Sequence, residues 1–463
     1  MDNNLDRNYL SLLNVENYKI LANSNIAFKP LTILIGGNGT GKTTILKCIN
    51  SFISGSLEDK YEYLVSFGNT DKDIKIDMSF SNYLKFIELD FFDSKINNKF
   101  TIYLEKPEFF FYFNNKQNFF LGLKSDISNS IIKPFNKING LSNKINLNID
   151  SKNDILKIYN NGFDKFKNNL SFFDQFTLLL TKFFNSFYEN LEINVRLTGS
   201  SISHLSYNFT FNYEILSPKF NNIKFNLKFK DIFPNVILLE SERSINLRDP
   251  KITETNPDKP YLRKDSQGII SYFHFLRGKD SEDKLDKINK WMNIFGINNL
   301  ISIPAEDLRT KLQFKSENPD FYIDVKDAGS GIGQLLYLIV ECVQAEIGSI
   351  LLIDEPGVHL HAQYQALVMD LLIETVNRGI QVIVATHSEY FILRLQRRIA
   401  EKKISSSNVV ILETKISDKK GTIIEEFYFD QFGNYENTKT PEVIKFAQNE
   451  FQNWAKAIKR DDL

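Results

Sequence analysis

The run Gly36-Gly37-Asn38-Gly39-Thr40-Gly41-Lys42-Thr43 fits the spacing G-x-x-x-x-G-K-[ST], and no other stretch constrains the fold as strongly. The pattern predicts an apolar strand before it, at residues 31–35, and a helix after it, at 42–51. Glycines permit the tight turn that points successive backbone N–H groups inward, and the positive end of the helix adds to that field. Such a turn cradles phosphate. Lys42 is expected to reach the β- and γ-phosphates of ATP and Thr43 to offer its hydroxyl to Mg²⁺, with Thr44 beside them at the helix start. A glycine-rich turn that merely imitates the motif would not need strand, helix, lysine and hydroxyl together.

A second constellation lies some three hundred residues on. Ile350-Leu351-Leu352-Ile353 reads as a buried strand ending in Asp354-Glu355. Parallel sheets gather ligand sites at the C-terminal ends of their strands. There Asp354 suits Mg²⁺, and Glu355 can face the γ-phosphate to polarise an attacking water. Thr386-His387-Ser388 ends the next expected strand, 381–385, and His387 could sense the γ-phosphate. A satisfied histidine at a strand end is the plainer alternative. Gly329-Ser330-Gly331-Ile332-Gly333-Gln334 opens the helix expected at 332–345, and small residues there make a second anion-binding helix start, ordinary loop aside. One chain needs one cradle, so Gly329, Ser330, Gly331 and Gln334 are expected to serve a neighbouring subunit.

At 463 residues the chain exceeds one hydrophobic core, and strands alternating with helices after residue 300 imply a parallel sheet. The expected layout is a first part at 1–60 with the cradle and an inserted α+β lobe at 61–300. A second part at 301–400 and closing strands and helix at 401–463 follow. Within the insertion, alternation at 109–113 and 207–213 predicts strands, and the Asn/Lys/Ser-rich stretch 124–153 predicts a loop. Spacing of Ile155, Tyr159, Phe163, Phe166 and Leu170 predicts helix over 154–190, with no heptad register for a coiled-coil arm. Residues 236–239 read as a buried strand, followed by a polar loop with Pro250, Pro257 and Pro260. Further strands are expected at 408–414 and 423–429, and a last helix near Pro441 with Thr440 as its cap.

A net charge of −1 gives no overall attraction to nucleic acid or an anionic membrane. Two distant cysteines, Cys48 and Cys342, exclude a disulfide framework and fit a reducing compartment. The acidic, polar N-terminus is unlike a secretory signal, and no run approaches the ~18 apolar residues of a membrane span. The expectation is a cytoplasmic protein without membrane contact.

The order of cradle, long insertion, glycine-rich signature, ILLIDEP and ATHSE resembles the ABC-type ATPases of the SMC/RecF/OLD-nuclease class, over residues 10–60 and 300–400. Leu239–Arg243 and INKWMNIFG (288–296) match the insertion loosely. The segments 354–361 and 386–389 resemble stand-alone bacterial members associated with anti-phage defence. The resemblance implies a P-loop NTPase of ABC-type head fold, a mixed sheet flanked by helices, with a large α+β insertion between cradle and signature. It also implies head-to-tail dimers or larger assemblies sandwiching ATP, with Lys42, Thr43, Asp354, Glu355 and His387 acting in cis and the signature in trans. Two departures stand out. The signature register places Gly329 where the family has serine, with Ser330 beside it, and no glutamine occurs between Lys42 and Lys116 to take the family's Mg²⁺ contact.

Other features have bland readings beside sharper ones. His359 and His361 lack a third metal ligand at suitable spacing and fit better at an inter-head loop. Arg243 could reach phosphate or sit in a surface ion pair, and the phenylalanine-rich middle is mainly core. The run Arg394-Leu395-Gln396-Arg397-Arg398 with Lys402-Lys403 could touch a phosphate backbone or be a solvated helix end. No acidic nuclease cluster follows the ATPase half, so an effector, nuclease or toxin, is expected on a separate chain. The alternatives are a DNA-binding genome-maintenance ATPase and a nucleotide-gated scaffold of negligible turnover. Coupling to a transporter has no evident surface.

Overall fold

The computed structural model describes residues 9–54, 64–66, 72–81, 83–93, 96–113, 118–126, 131–134, 145–150, 155–160, 193–196, 209–217, 220–229, 234–241, 282–305, 309–315, 321–417, 421–436, 439–446, 448–450 and 452, with backbone alone between 83 and 229 and at 54, 282, 304, 305, 309, 310 and 326. The strands before residue 230 are β1 (Leu10–Tyr18), β2 (Leu21–Ala27), β3 (Leu31–Gly36), β4 (Ile74–Phe80), β5 (Tyr83–Asp93), β6 (Ile96–Phe113), β7 (Asn118–Asp126), β8 (Ile131–Pro134), β9 (Ile145–Asp150), β10 (Ile155–Asn160), β11 (Ile193–Arg196), β12 (Phe209–Ser217) and β13 (Phe220–Phe229). They are followed by β14 (Val236–Leu239), β15 (Asn298–Ala305), β16 (Arg309–Lys315), β17 (Tyr322–Asp324), β18 (Ile350–Asp354), β19 (Gln381–Ala385), β20 (Val409–Ser417) and β21 (Gly421–Phe427). The helices are α1 (Lys42–Ser54), α2 (Glu282–Ile294), α3 (Ser330–Gln344), α4 (Ala362–Asn377) and α5 (Glu389–Ala400).

The chain divides into two compact units. One holds residues 1–28, 48–235 and 417–422, and the other 29–47, 236–416 and 423–463. In the first unit, every strand up to β13 except β3 joins a twelve-stranded antiparallel sheet. Leu13 and Val15 of β1 lie opposite Met78 and Ile76 of β4, and all four are buried. The period of two in these strands thus puts one face inside.

Two expectations are corrected here. Residues 131–134 and 145–150, within the stretch read as loop, are strands. Ile145-Asn146-Leu147-Asn148-Ile149 alternates apolar and polar residues, and that alternation outweighs the turn-forming tendency of the asparagines. Residues 155–160, spaced as a helix start, instead pair antiparallel with β9, Ile155 opposite Asp150. The remaining positions up to 190, like Arg243 and the three prolines, lie outside the described residues.

In the second unit a six-stranded sheet runs β14-β18-β19-β3-β20-β21. The first five strands are parallel. Only three residues separate β20 from β21, too few for a parallel crossover, so the last strand reverses and the sheet is mixed. Every residue of β18 and β19 is buried, which requires cover on both faces. β15, β16 and β17 form a separate small antiparallel sheet. From Gly333 to Val343 α3 is buried all round, as a sequence apolar but for Gln334 and Glu341 demands. Its last carbonyls are capped from α4: Arg378 donates to Cys342, Val343 and Ala345 at 2.6, 3.0 and 2.9 Å. α2 meets α4 through Trp291, whose Nε1 lies 3.4 Å from Glu374 Oε1, and through Phe295 edge-on to Tyr364.

The last helical stretch begins at residue 442, as expected from Pro441, but its first amide is served otherwise than by Thr440. The Glu442 N–H donates to Glu413 Oε1 of β20 at 2.6 Å. None of the described helices is long and apolar enough to cross a membrane.

Candidate functional site

Parallel pairing aligns the C-terminal ends of four strands. Asp354 of β18 pairs with Ala385 of β19, Ala385 with Leu34 of β3, and Gly36 with Thr414 of β20. The segments leaving β3, β18 and β19 carry the residues singled out from the sequence. The glycine-rich turn leaves β3, and its crest, Gly37, Asn38 and Gly39, is exposed. Gly36 has φ +143°, and a Cβ there would lie 2.2 Å from the Thr414 carbonyl oxygen, so only glycine lets β20 approach. The Thr40 and Thr414 hydroxyls sit 2.6 Å apart, so that one donates to the other and the second donates to its own nearby carbonyl, Gly37 O (2.9 Å from Thr40) or Ile35 O (3.0 Å from Thr414). That hydroxyl pair fastens the turn to the sheet.

At the start of α1, Lys42 is buried and donates through Nζ to Gly36 O (3.0 Å) and Gly37 O (2.8 Å). Burial lowers its pKa, and Glu355 and Asp354 offset part of that. Thr43 is exposed, and its hydroxyl donates to Asp354 Oδ2 at 2.9 Å. Two hard oxygen donors from distant parts of the chain therefore meet at one point, a donor set that suits Mg²⁺. Among the described residues no group of three or more His, Cys, Asp or Glu forms a metal cluster, and His359 with His361 makes none.

Glu355 follows β18 with φ +47°, left-handed and costly for a non-glycine residue. Its N–H donates to the Ala385 carbonyl at 2.8 Å, which holds the bend. His387 lies across from it, with Nε2 3.4 Å from Glu355 Oε1 and its backbone N–H 3.4 Å from Oε2. Burial raises the Glu355 carboxyl above its ordinary value, the His387 N–H opposes this, and neighbouring Asp354 adds to it. Burial and then Lys42 lower the His387 pKa, keeping the imidazole neutral at neutral pH. A buried lysine, an oxygen pair and an acid–imidazole pair thus share one sheet edge.

The family model described as AAA ATPase domain matches residues 9–392. The chain belongs to that family. The P-loop NTPase fold expected from the motifs is borne out. No curated protein matches this ATPase. Among solved structures it is similar to an SMC head bound to the C-winged helix domain of ScpA, at 13% identity and TM-score 0.46, covering 91% of this chain and 98% of that one. It is also similar to the SMC head domain from Thermotoga maritima, at 9% identity and TM-score 0.37, covering 90% and 98%. A third is the recombination mediator RecF of the RecFOR pathway, at 11% identity and TM-score 0.37, covering 91% and 98%.

The signature residues lie elsewhere in the ATPase. Gly329 is the N-cap of α3 without a side-chain cap bond, and it and Ser330 are exposed. Gly331 packs on the loop after Glu355: a Cβ there would lie 2.8 Å from the His359 carbonyl oxygen. Gln334 is buried, and its Oε1 has no hydrogen-bond partner among the described residues. His361 caps α4, its Nδ1 accepting from the Gln363 N–H at 3.4 Å. The basic run of α5 is largely neutralised. Arg394 and Arg398 both bind the Asp370 carboxylate with two bonds each, and Arg397 pairs with Glu401. Thr414 and Asp370 escaped the sequence reading because neither stands in a motif; only strand and helix packing brings them to their partners.

Proposed function

We propose that the protein binds and hydrolyses ATP, with Glu355 as the residue that orients the attacking water. The observation that carries this reading is the strained backbone of Glu355, which sets its carboxylate beside His387 at the sheet edge that also holds Lys42. Gly36, Gly37, Asn38, Gly39, Thr40, Gly41 and Thr44 frame the phosphates through backbone N–H groups, and Lys42 leaves its carbonyl partners for the β- and γ-oxygens. Thr43 and Asp354 would hold Mg²⁺, which when bound offsets negative charge on the phosphates. Glu355, its pKa raised by burial, takes the proton of the water as it attacks, and neutral His387 steadies that pair.

Gly329, Ser330, Gly331 and Gln334 act in trans on the nucleotide of a neighbouring copy. Support for this comes from the exposed start of α3 and from the signature resemblance. Assembly around ATP then controls a separately encoded effector, a nuclease or toxin, in bacterial antiviral defence. That part rests on the resemblance of segments 354–361 and 386–389. The ion pairing of Arg394, Arg397 and Arg398 lends no support to a nucleic-acid surface there.

Mixing two inactive variants tests the shared site. Ser330→Arg and Lys42→Ala should each lack phosphate release alone, and mixing them should restore part of it, because one site of the mixed dimer is whole. Wild-type turnover by Ser330→Arg alone would remove the trans role.

A further inference from the structure

One side chain bridges the two loops that carry Glu355 and His387. Gln365 lies in the first turns of α4 and is half-buried. Its Nε2 donates to the Leu360 carbonyl at 2.9 Å, and its Oε1 accepts from the Ser388 hydroxyl at 2.6 Å. Only the amide nitrogen can serve a carbonyl oxygen, so the chemistry of the two partners fixes which way the amide faces. The stem is held as well. A Cβ on Gly357 would stand 3.1 Å from Gln365 Cγ and 3.1 Å from Phe391 Cε2, so these groups already fill the space over the loop.

The bridged segments are short, and backbone joins them only at their roots, where the Glu355 N–H donates to the Ala385 carbonyl at 2.8 Å. From Glu355 to His361 the chain makes its own turns, Val358 N–H to Glu355 O at 3.3 Å and Leu360 N–H to Gly357 O at 3.1 Å. After β19, the Ser388 N–H turns back on Thr386 Oγ1 at 3.1 Å. Direct contacts between the Glu355 carboxylate and His387 are both 3.4 Å, long for hydrogen bonds. The bonds through Gln365 are shorter by half an ångström or more, and each anchors within five residues of the group it serves.

We propose that Gln365 is a positioning residue for hydrolysis: its amide locks the Glu355 loop to the His387 turn, so that carboxylate and imidazole face the γ-phosphate together. This rests on the reading of Glu355 as the water-orienting residue. Gln365 acts through both loops at once, so its loss should lower turnover and leave nucleotide affinity nearly intact.

The experiment compares Gln365→Leu, Gln365→Glu, Ser388→Ala and the Gln365→Leu/Ser388→Ala pair in steady-state ATP hydrolysis, fluorescent ATP-analogue binding and thermal melting, with Glu355→Gln as reference. Gln365→Leu should lower kcat ten-fold or more and change Kd by less than two-fold. The pair should lose no more than the worse single variant, since both break one bridge. Gln365→Glu supplies the readout that packing alone would not move. Ionised, a carboxylate cannot donate to the Leu360 carbonyl; protonated, it can. The activity of Gln365→Glu relative to wild type should therefore rise as pH falls from 8 to 6. A wild-type kcat in Gln365→Leu, or a Gln365→Glu ratio that stays flat with pH, overturns the proposal. A wild type no faster than Glu355→Gln overturns the hydrolysis reading itself, and this inference with it.

Discussion

Glu341 offers a stability test that is independent of nucleotide. It sits in the buried helix α3, 2% exposed, with Gln344 Nε2 donating to it at 2.5 Å. Burial pushes its carboxyl up from 4.5 to about 7, against the pull of the Gln344 bond. A folded-state pKa above the unfolded one means that the folded chain holds this proton more tightly. The stability so contributed is fully present below pH 4.5 and is lost as pH rises through about 7. A rise of that size corresponds to about 3 kcal/mol between the two limits. Glu341→Gln keeps the shape and the bond to Gln344 and cannot ionise. At pH 5 the variant should match wild type within about 1 kcal/mol, and at pH 8 it should be the more stable by about 3 kcal/mol. Urea unfolding followed by the fluorescence of buried Trp291 at both pH values measures the difference. A gap between variant and wild type that is the same at pH 5 and pH 8 would refute the reasoning.

Thr414→Val removes the hydroxyl that ties Thr40 and the glycine-rich turn to β20; at about 1 kcal/mol per lost bond, ATP affinity should weaken roughly five-fold in a titration. Asp370→Asn leaves Arg394 and Arg398 without their shared carboxylate and should cost roughly 1–3 kcal/mol in urea unfolding at neutral pH. Burial alone would raise the Asp370 carboxyl, but the two arginines hold it below its ordinary value, so that cost should fade as pH drops through the depressed pKa. The acid limb of the kcat–pH profile should lie above pH 4.5, because burial raises Glu355 and protonation stops it from accepting the proton of water. A limb at or below 4.5 would count against Glu355 as the group being titrated.

The cradle and the buried strand at 350–354 were legible because their chemistry depends on backbone and on residue order. Glycines at fixed spacing and an apolar run ending in acids leave few structural options. What the sequence could not disclose was how loops are tied across space. Gln365 stands four residues after His361 in an ordinary amphipathic helix, and its meaning appears only when Leu360 and Ser388 close on its amide. His361 and Arg398 carried suggestive chemistry, yet the geometry gives one a helix cap and the other a carboxylate partner. In the insertion, asparagine and lysine mask alternation: Ile145, Leu147 and Ile149 follow strand period while their neighbours favour turns. Ile155 and Tyr159 fit helical spacing, and pairing with β9 decided otherwise.

The most direct test is phosphate release from ATP and Mg²⁺ by the purified wild-type chain and by Glu355→Gln, with nucleotide binding measured on the same samples. The variant should bind ATP as tightly as wild type and release phosphate at least a hundred-fold more slowly, since it keeps the shape of Glu355 and loses the base. Equal release rates from the two proteins would contradict the role assigned to Glu355.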